Sequence, residues 1–346
     1  GVIGTPLAVC STFIFLFILF GAFLERTGIG QFFIDIANSI AGKATGGPAK
    51  VAVIASALQG TITGSSVANT VSSGSFTIPM MKKMGYRPEF AAAVEAAAST
   101  GGQIMPPIMG AAAFLMAEMT GIPYSNIIIA AIIPAFLYFT GIMIMVHLEA
   151  KRYGLKGLPA EEIPNFFKLM AGYWYLLIPL VVLVSMMMTG YTPSRAALAA
   201  IILSVIVSWF RKETRMNLQT FLGALEAVPH IIGVAIACAV AGMIVGTVTL
   251  TGIGLNCRRS AVHVRRNILL ALFFTMIASI VLGSGVPTTA NYVIMATITA
   301  PIVLQLGVDL LPAHMFVFYF GIVADITPPV ALAAYAGSAI ARKQVR

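Results

Sequence analysis

The sequence predicts an all-α membrane protein built as two inverted repeats, with two re-entrant helical hairpins and two interrupted helices. Three observations predict it. Of 346 residues, 59% are hydrophobic and only 10% charged, against about 25% charged in a soluble domain. Apolar runs such as Leu7 to Leu24, Ile127 to Val146 and Tyr173 to Met188 approach the ~20 residues that cross a ~30 Å hydrocarbon core. Finally, three short motifs recur in the same order. TGIG stands at 27–30 and 251–254, GSSVANT at 64–70 answers GSGVPTT at 283–289, and MPPI at 105–108 answers TPPV at 327–330. Each alone is weak, but three in nearly one register indicate an internal repeat.

The first repeat, 1–146, opens with a spanning helix at 7–24 and an amphipathic stretch at 30–42. Shorter apolar segments at 50–62 and 67–81 follow, then an interrupted helix at 89–118 and a span at 124–146. Thirteen residues from Lys50 to Ile62 make a helix of about 20 Å at ~1.5 Å per residue. That is too short to cross, so 50–81 reads as a re-entrant hairpin whose turn lies at membrane depth. The polar segment from 147 carries Pro159, Pro164 and several charges; 147–227 reads as this linker with scaffold helices at 173–190 and 194–210. The second repeat, 228–346, contributes a span to 251, a hairpin at 267–305 and an interrupted helix at 312–341.

With hairpins counted as non-crossing, equivalent helices of the two repeats enter from opposite faces. Most of the 21 Lys and Arg residues, among them Lys82, Lys83, Arg87, Lys151, Arg152, Arg211, Lys212 and Arg342, then fall on one side, which the positive-inside rule makes cytoplasmic. The formal charge of +9 thus reads as a topology signal, with no basic stripe for nucleic acid. The segment NCRRSAVHVRRN at 256–267 breaks the rule by placing Arg258, Arg259, Arg265 and Arg266 on the outer side. It reads as a solvated loop or a local shift in the sequence rather than an anion-attracting patch. The chain starts at Gly1 without an initiator Met or basic leader, and reads as a fragment.

A helix that ends inside a membrane exposes unpaired N–H or C=O groups, and such ends form ion and substrate sites in secondary transporters. In the first repeat the candidates are Gly64, Ser65, Ser66, Asn69 and Thr70 at the hairpin turn, with Ser99, Thr100, Gly101, Gly102 and Gln103 before the break at Pro106 and Pro107. In the second they are Ser284, Gly285, Pro287, Thr288, Thr289 and Asn291, then Asp325 and Thr327 before Pro328 and Pro329. Glycine permits close backbone approach, hydroxyl and amide oxygens suit a hard monovalent cation, and proline frees a carbonyl one turn earlier. Small residues also serve helix packing, yet packing does not require a polar turn and a double-proline break in the same order twice. Asp325 stands where Gln103 stands in the first repeat, and an intramembrane carboxylate marks a functional site. It would ligate a cation, carry a proton or brace the broken helix. Glu95 lies two turns from the break and reads as a packing residue.

Nothing supports an enzyme. His147, His230, His263 and His314 show no metal-ligand spacing, Cys10, Cys238 and Cys257 are scattered apolar fillers, and no GxSxG, HExxH or phosphate-cradling loop occurs. No cofactor is expected; the coupling ion is Na+ or H+.

Residues 64–114, GSSVANTVSSGSFTIPMMKKMGYRPEFAAAVEAAASTGGQIMPPIMGAAAF, and 283–301, GSGVPTTANYVIMATITAP, resemble the large membrane subunit of TRAP (tripartite ATP-independent periplasmic) transporters. The likeness is greatest to the fused permeases that work with TAXI-type binding proteins. The resemblance implies an elevator-type secondary transporter of the bacterial inner membrane that imports organic acids, commonly carboxylates, on a Na+ or H+ gradient. It also implies two partners besides lipid, a periplasmic substrate-binding protein and a small membrane subunit, separate or fused upstream. Family cation sites map by motif onto Ser65, Ser66, Asn69, Ser99, Thr100, Ser284, Thr288, Thr289 and Asp325, with Ser65, Asn69, Ser99, Ser284, Thr288 and Asp325 offered to Na+. The chain departs from the family in the basic segment at 256–267, in lacking the upstream small-subunit region, and in ending soon after the second break. The competing readings are another ion-coupled anion symporter of similar architecture, a channel, a membrane-embedded enzyme, and a purely structural subunit.

Overall fold

The computed structural model describes residues 3–211, 213–226, 228–251, 268–286 and 288–342, and among these every regular element is helical. The basic segment 256–267 and Pro287 lie outside the described residues.

The chain opens with α1 (Thr5–Val9), a π-helical stretch Cys10–Ile14 and α2 (Phe15–Arg26). Where the sequence predicts one straight span at 7–24, the helix bends by 42°. Next come α3 (Ile29–Ala41), α4 (Gly47–Thr63), α5 (Ser66–Lys83), α6 (Pro88–Gly102), α7 (Gly110–Thr120) and α8 (Tyr124–Arg152). Then follow α9 (Phe166–Tyr173), α10 (Ile178–Met188), α11 (Pro193–Ser208), α12 (Leu218–Leu225) and α13 (Val228–Thr251). The last five are α14 (Ile268–Gly283), α15 (Thr288–Ile298), α16 (Ala300–Gln305), α17 (Leu310–Val323) and α18 (Leu332–Ala341).

Among the described residues, two helices, Tyr124–Arg152 and Phe166–Met188, are long and apolar enough to cross a membrane, or three if the bent pair at the start forms one span. The stretch expected to span at 194–210 forms a helix of 16 residues, Pro193–Ser208, and 212–227, where no element was expected, contains α12. The linker is narrower than its composition suggests, because α8 runs on to Arg152 and α9 begins at Phe166. The hairpin arms are likewise longer than their apolar runs. α4 has 17 residues and α5 has 18, so each spans about 26 Å at ~1.5 Å per residue, narrowing the shortfall read from 50–62.

Local signals explain the ends. Gly46 and Gly64, both at positive φ, bracket α4, where a side chain would be strained. The side chain of Ser65 caps α5 by accepting from the Ala68 N–H, and Asn165 and Asn217 cap α9 and α12 in the same way. α6 stops before Pro106–Pro107 and α17 before Pro328–Pro329, because proline cannot supply the next helical N–H. Both proline pairs are joined by cis peptides, and Met109 and Ala331 just beyond them take positive φ.

The described chain forms two compact units, and these cut across the order of the sequence. One comprises residues 1–15, 110–131 and 229–331; the other comprises 16–109, 132–228 and 332–346. In the second of these, α6 packs on α4 and α5 and also on α18, around a core that includes Ala49, Val53, Ile78, Met81, Ala91 and Ala98. In the first, α15 packs on α17 and also on α7, with Met295, Ala300, Val303, Ala313 and Val317 buried nearby. Each unit therefore holds one hairpin, the helix leading into the break that follows it, and the helix leaving the other break.

Backbone proximity sets the tightest packing. A Cβ built on Gly60 would stand 2.2 Å from the Gly102 Cα, whereas one on Gly141 would meet nothing within 4 Å. Gly60→Ala is expected to destabilise the protein by about 1–3 kcal/mol through overpacking. Gly141→Ala should leave stability unchanged or raise it, since alanine is favoured by roughly 0.5–1 kcal/mol in a helix interior. Thermal unfolding of the two variants in detergent checks the contrast.

Candidate cation and substrate site

In the unit containing α4, α5 and α6, the hairpin turn is two residues, Gly64 and Ser65. Behind it, Ser66, Asn69 and Thr70 point inward and are buried. The Thr70 hydroxyl donates to the Ser66 carbonyl at 2.8 Å, so it serves its own helix. Asn69 reaches across the hairpin, and its Nδ2 donates to the Ser56 carbonyl on α4 at 2.9 Å. The same amide nitrogen would lie 3.1 Å from a Cβ on Gly102, which is why the α6 terminus approaches so closely. The Oδ1 of Asn69 is buried without a hydrogen-bond donor, and so is the Thr100 hydroxyl. Gly101 faces the Tyr138 ring, which a Cβ would meet at 2.4 Å. Gln103, fully buried, caps α6.

Four residues earlier than Ser99, the structure places a polar cluster where the sequence suggests packing. Glu95 is 0% exposed. Its Oε1 meets the hydroxyls of Ser56 at 2.5 Å, of Ser73, and of Ser99 at 3.2 Å, and its Oε2 meets the Thr77 hydroxyl at 2.5 Å. α4 supplies one hydroxyl, α5 two and α6 one. Ser99, expected among the tip oxygens, is thus engaged with Glu95. The signal was present as same-face pairs four residues apart, Ser73 with Thr77 and Glu95 with Ser99, but no motif joins the two helices.

In the unit containing α14, α15 and α17, Asn291 resembles Asn69 but reaches off the hairpin to the helix that leads into the break. It is buried, its Nδ2 donates to the Gly321 carbonyl at 2.8 Å, and its Oδ1 has no donor. A Cβ on Gly283 would lie 2.7 Å from that nitrogen and 2.9 Å from the Gly321 oxygen. The heptads align Asn69 with Thr288, but the structural counterpart of Asn69 is Asn291. Both are the fourth residue of the returning arm, and Asn291 precedes Pro328 by the same interval as Asn69 precedes Pro106. The register slips because the second hairpin's arms are farther apart in sequence, α14 ending at Gly283 and α15 beginning at Thr288.

Of the remaining second-repeat candidates, Thr289 is buried and Thr288 half-buried. The Ser284 hydroxyl donates to the Ile280 carbonyl at 3.1 Å. Gly285, at φ 77°, is held against Val330 beside the break, so turn and break meet here too. Asp325 is buried, in the 3-10 turn Ala324–Ile326. The Thr327 hydroxyl donates to the Val323 carbonyl at 2.7 Å. His314, given no role by the sequence, meets the Tyr292 hydroxyl at 2.7 Å, and His147 meets Lys50 Nζ at 3.1 Å. Among the described residues no three His, Cys, Asp or Glu side chains are grouped to hold a metal ion. A cation at these turns would be met chiefly by neutral oxygens.

Apolar helices with polar hairpin turns and double-proline breaks fit a membrane transporter component. The chain belongs to the tripartite ATP-independent periplasmic transporter family, DctM component, whose family model matches residues 3–346. It is 26% identical over 325 residues to the C4-dicarboxylate TRAP transporter large permease protein DctM of Pseudomonas aeruginosa, covering 94% of this chain and 76% of that protein. It is 24% identical to the sialic acid TRAP transporter large permease protein SiaM of Vibrio cholerae, over 94% of this chain and 76% of that one. With the isethionate TRAP transporter permease protein DctMQ of Oleidesulfovibrio alaskensis it shares 24% identity, over 95% of this chain and 52% of the relative. Membership implies a periplasmic binding protein and a small membrane subunit as partners.

Replacing Asn69 or Asn291 with Ala strips a buried carbonyl of its donor and is expected to cost about 1–3 kcal/mol in each case. Thr100→Val removes a hydroxyl that has no partner, so stability should hold within about 0.5 kcal/mol or rise. Unfolding in Na+-free detergent buffer measures all three.

Proposed function

We propose that the chain is the permease subunit of a cation-coupled secondary transporter that imports an organic acid across the bacterial inner membrane. A periplasmic binding protein delivers the substrate, and a small membrane subunit, separate or fused, completes the complex. The reading rests on one repeated observation. In each unit a hairpin packs against a helix that ends before paired prolines, and a buried Asn of that hairpin spends its N–H on the backbone while its oxygen lacks a donor among the described residues. Such an oxygen is costly to bury unless something positive meets it. A small cation does so without bringing its own acceptors.

In the unit containing α4, α5 and α6 the cation oxygens are Asn69 and Thr100, with Ser65 and backbone carbonyls at the α6 terminus. Ser99 is assigned to the Glu95 cluster instead, its hydroxyl lying 3.2 Å from Oε1. In the other unit they are Asn291, Ser284, Thr288 and Asp325. Neutral oxygens suit Na+. Cation binding orders the turns, and the hairpins and broken helices then carry the substrate as an elevator against the scaffold helices. Inverted repeats, re-entrant hairpins and the domain division 1–146, 147–227 and 228–346 belong to this proposal. So does the substrate class: relatives named for C4-dicarboxylate, sialic acid and 2,3-diketo-L-gulonate support an organic acid carrying a carboxylate.

The test is uptake into proteoliposomes with the binding protein and small subunit supplied. Wild type should show saturable uptake driven by a Na+ gradient, and Asn69→Ala or Thr288→Ala should weaken it. Thr100→Val, with stability intact, should raise the Na+ concentration needed for half-maximal uptake. Single-channel currents, or uptake indifferent to all three substitutions, would overturn the assignment.

A further inference from the structure

We infer that Glu95, with Ser56, Ser73, Thr77 and Ser99, forms a proton-binding site separate from the oxygens at the hairpin turn. Hydrogen counting carries the inference. A hydroxyl has one proton to give. The Thr77 hydroxyl lies 2.5 Å from Glu95 Oε2 and 3.1 Å from the Ser73 carbonyl. The Ser73 hydroxyl meets Glu95 Oε1, the Asn69 carbonyl at 3.0 Å and the Ser56 hydroxyl at 3.0 Å. Ser56 in turn meets Oε1. Carbonyls only accept, so Ser56, Ser73 and Thr77 offer three protons to six close contacts. A proton on Glu95 supplies a fourth.

Its position follows from the contacts. Oε1 is already shared among Ser56, Ser73 and Ser99, whereas Oε2 faces Thr77 alone. With the proton on Oε2, the carboxyl donates to Thr77 Oγ1, and Thr77 donates to the Ser73 carbonyl. Binding forms one O–H bond and removes one negative charge; release reverses both. The spacing also selects the ligand, because hydroxyls drawn this close to the carboxyl leave no room for a metal ion among them.

No other charge offsets the carboxyl among the described residues. On α4, Lys50 is engaged with His147. On α5, Lys82 donates to the Ala341 carbonyl at 3.3 Å, and Lys83 is exposed. On α6, Glu89 is exposed; on α18, Tyr335 is 68% exposed and Arg342 follows the helix end, exposed. From α8, the Tyr138 hydroxyl donates to the Ala97 carbonyl. The site depends on packing, since its hydroxyls come from α4, α5 and α6. It also touches the turn, for Asn69 is bound to Ser56 through its side chain and to Ser73 through its carbonyl. Because Asn69 belongs both to the turn and to the network around Glu95, a cation that orders the turn on the reading above also bears on this proton, and transport then carries a proton step in addition to the cation at the turn.

Infrared difference spectroscopy of the purified permease in nanodiscs, titrated with acid and base, tests the site without requiring transport. The expected result is a C=O stretch of a protonated carboxyl that is present in wild type and absent in Glu95→Gln. Should that variant fail to fold, Thr77→Val removes the single partner of Oε2, and the band should shift. A spectrum without the band, or a band indifferent to both substitutions, overturns the inference. In proteoliposomes, an imposed proton gradient should change wild-type uptake and leave Glu95→Gln uptake unchanged; equal responses overturn the proton step. Failure of wild type to transport any organic acid would count against the proposed function, while the infrared band would still decide the site.

Discussion

A helix that ends away from water must find protein partners for the backbone groups it no longer pairs internally. Much of what is distinctive in this chain answers that requirement. The two broken helices end at paired prolines, and each hairpin folds back so that an asparagine of its returning arm lies under its turn. Asn69 and Asn291 each give their amide hydrogens to a backbone carbonyl. Close glycine contacts make this possible, Gly60 on Gly102 in one unit and Gly283 on Gly321 in the other. Larger side chains there would push the hairpin off the helix end, and Asn291, whose acceptor lies on that helix, would lose its target.

The acid of Glu95 meets the same requirement differently. A carboxyl buried without a cation needs hydroxyl donors or a proton of its own, and three helices converge to surround it. The turn and the acid share Ser56, Asn69 and Ser73, so they form one continuous polar seam inside an apolar unit. Such a seam is stable only when complete, which makes the packing of α5 on α6 cooperative.

Much of this was legible in the sequence, and the parts that were not have specific physical causes. Low charge and long apolar runs announced the helices, and Pro106–Pro107 and Pro328–Pro329 announced the breaks because proline's missing N–H acts locally. The turn at Gly64 was visible for a similar reason. The Glu95 cluster was not, because Ser56, Ser73 and Thr77 sit singly in apolar helices and only tertiary packing unites them. The match of Asn69 with Asn291 was hidden by the wider sequence separation of the second hairpin's arms, which slides the glycine–serine heptads out of step with the helices behind them. Helix lengths were underestimated at α4, which begins at Gly47 with a glycine and a proline that read as loop, and at α8, where His147 and the charged residues after it sit inside helical turns that hydropathy alone assigns to loops. The 42° bend near the start had no proline or glycine to foretell it within residues 10–15.

The grouping of α6 with α18 bears on how the protein is made. Helices formed early in synthesis stay incomplete until a much later one emerges, since the face of α6 around Ala92 is covered by Gly337 of α18. Contacts of such sequence separation slow assembly and leave apolar surface exposed meanwhile. A ribosome that stalled before residue 332 would release a chain in which the unit that includes residues 16–109 lacks α18, a natural substrate for membrane quality-control proteases.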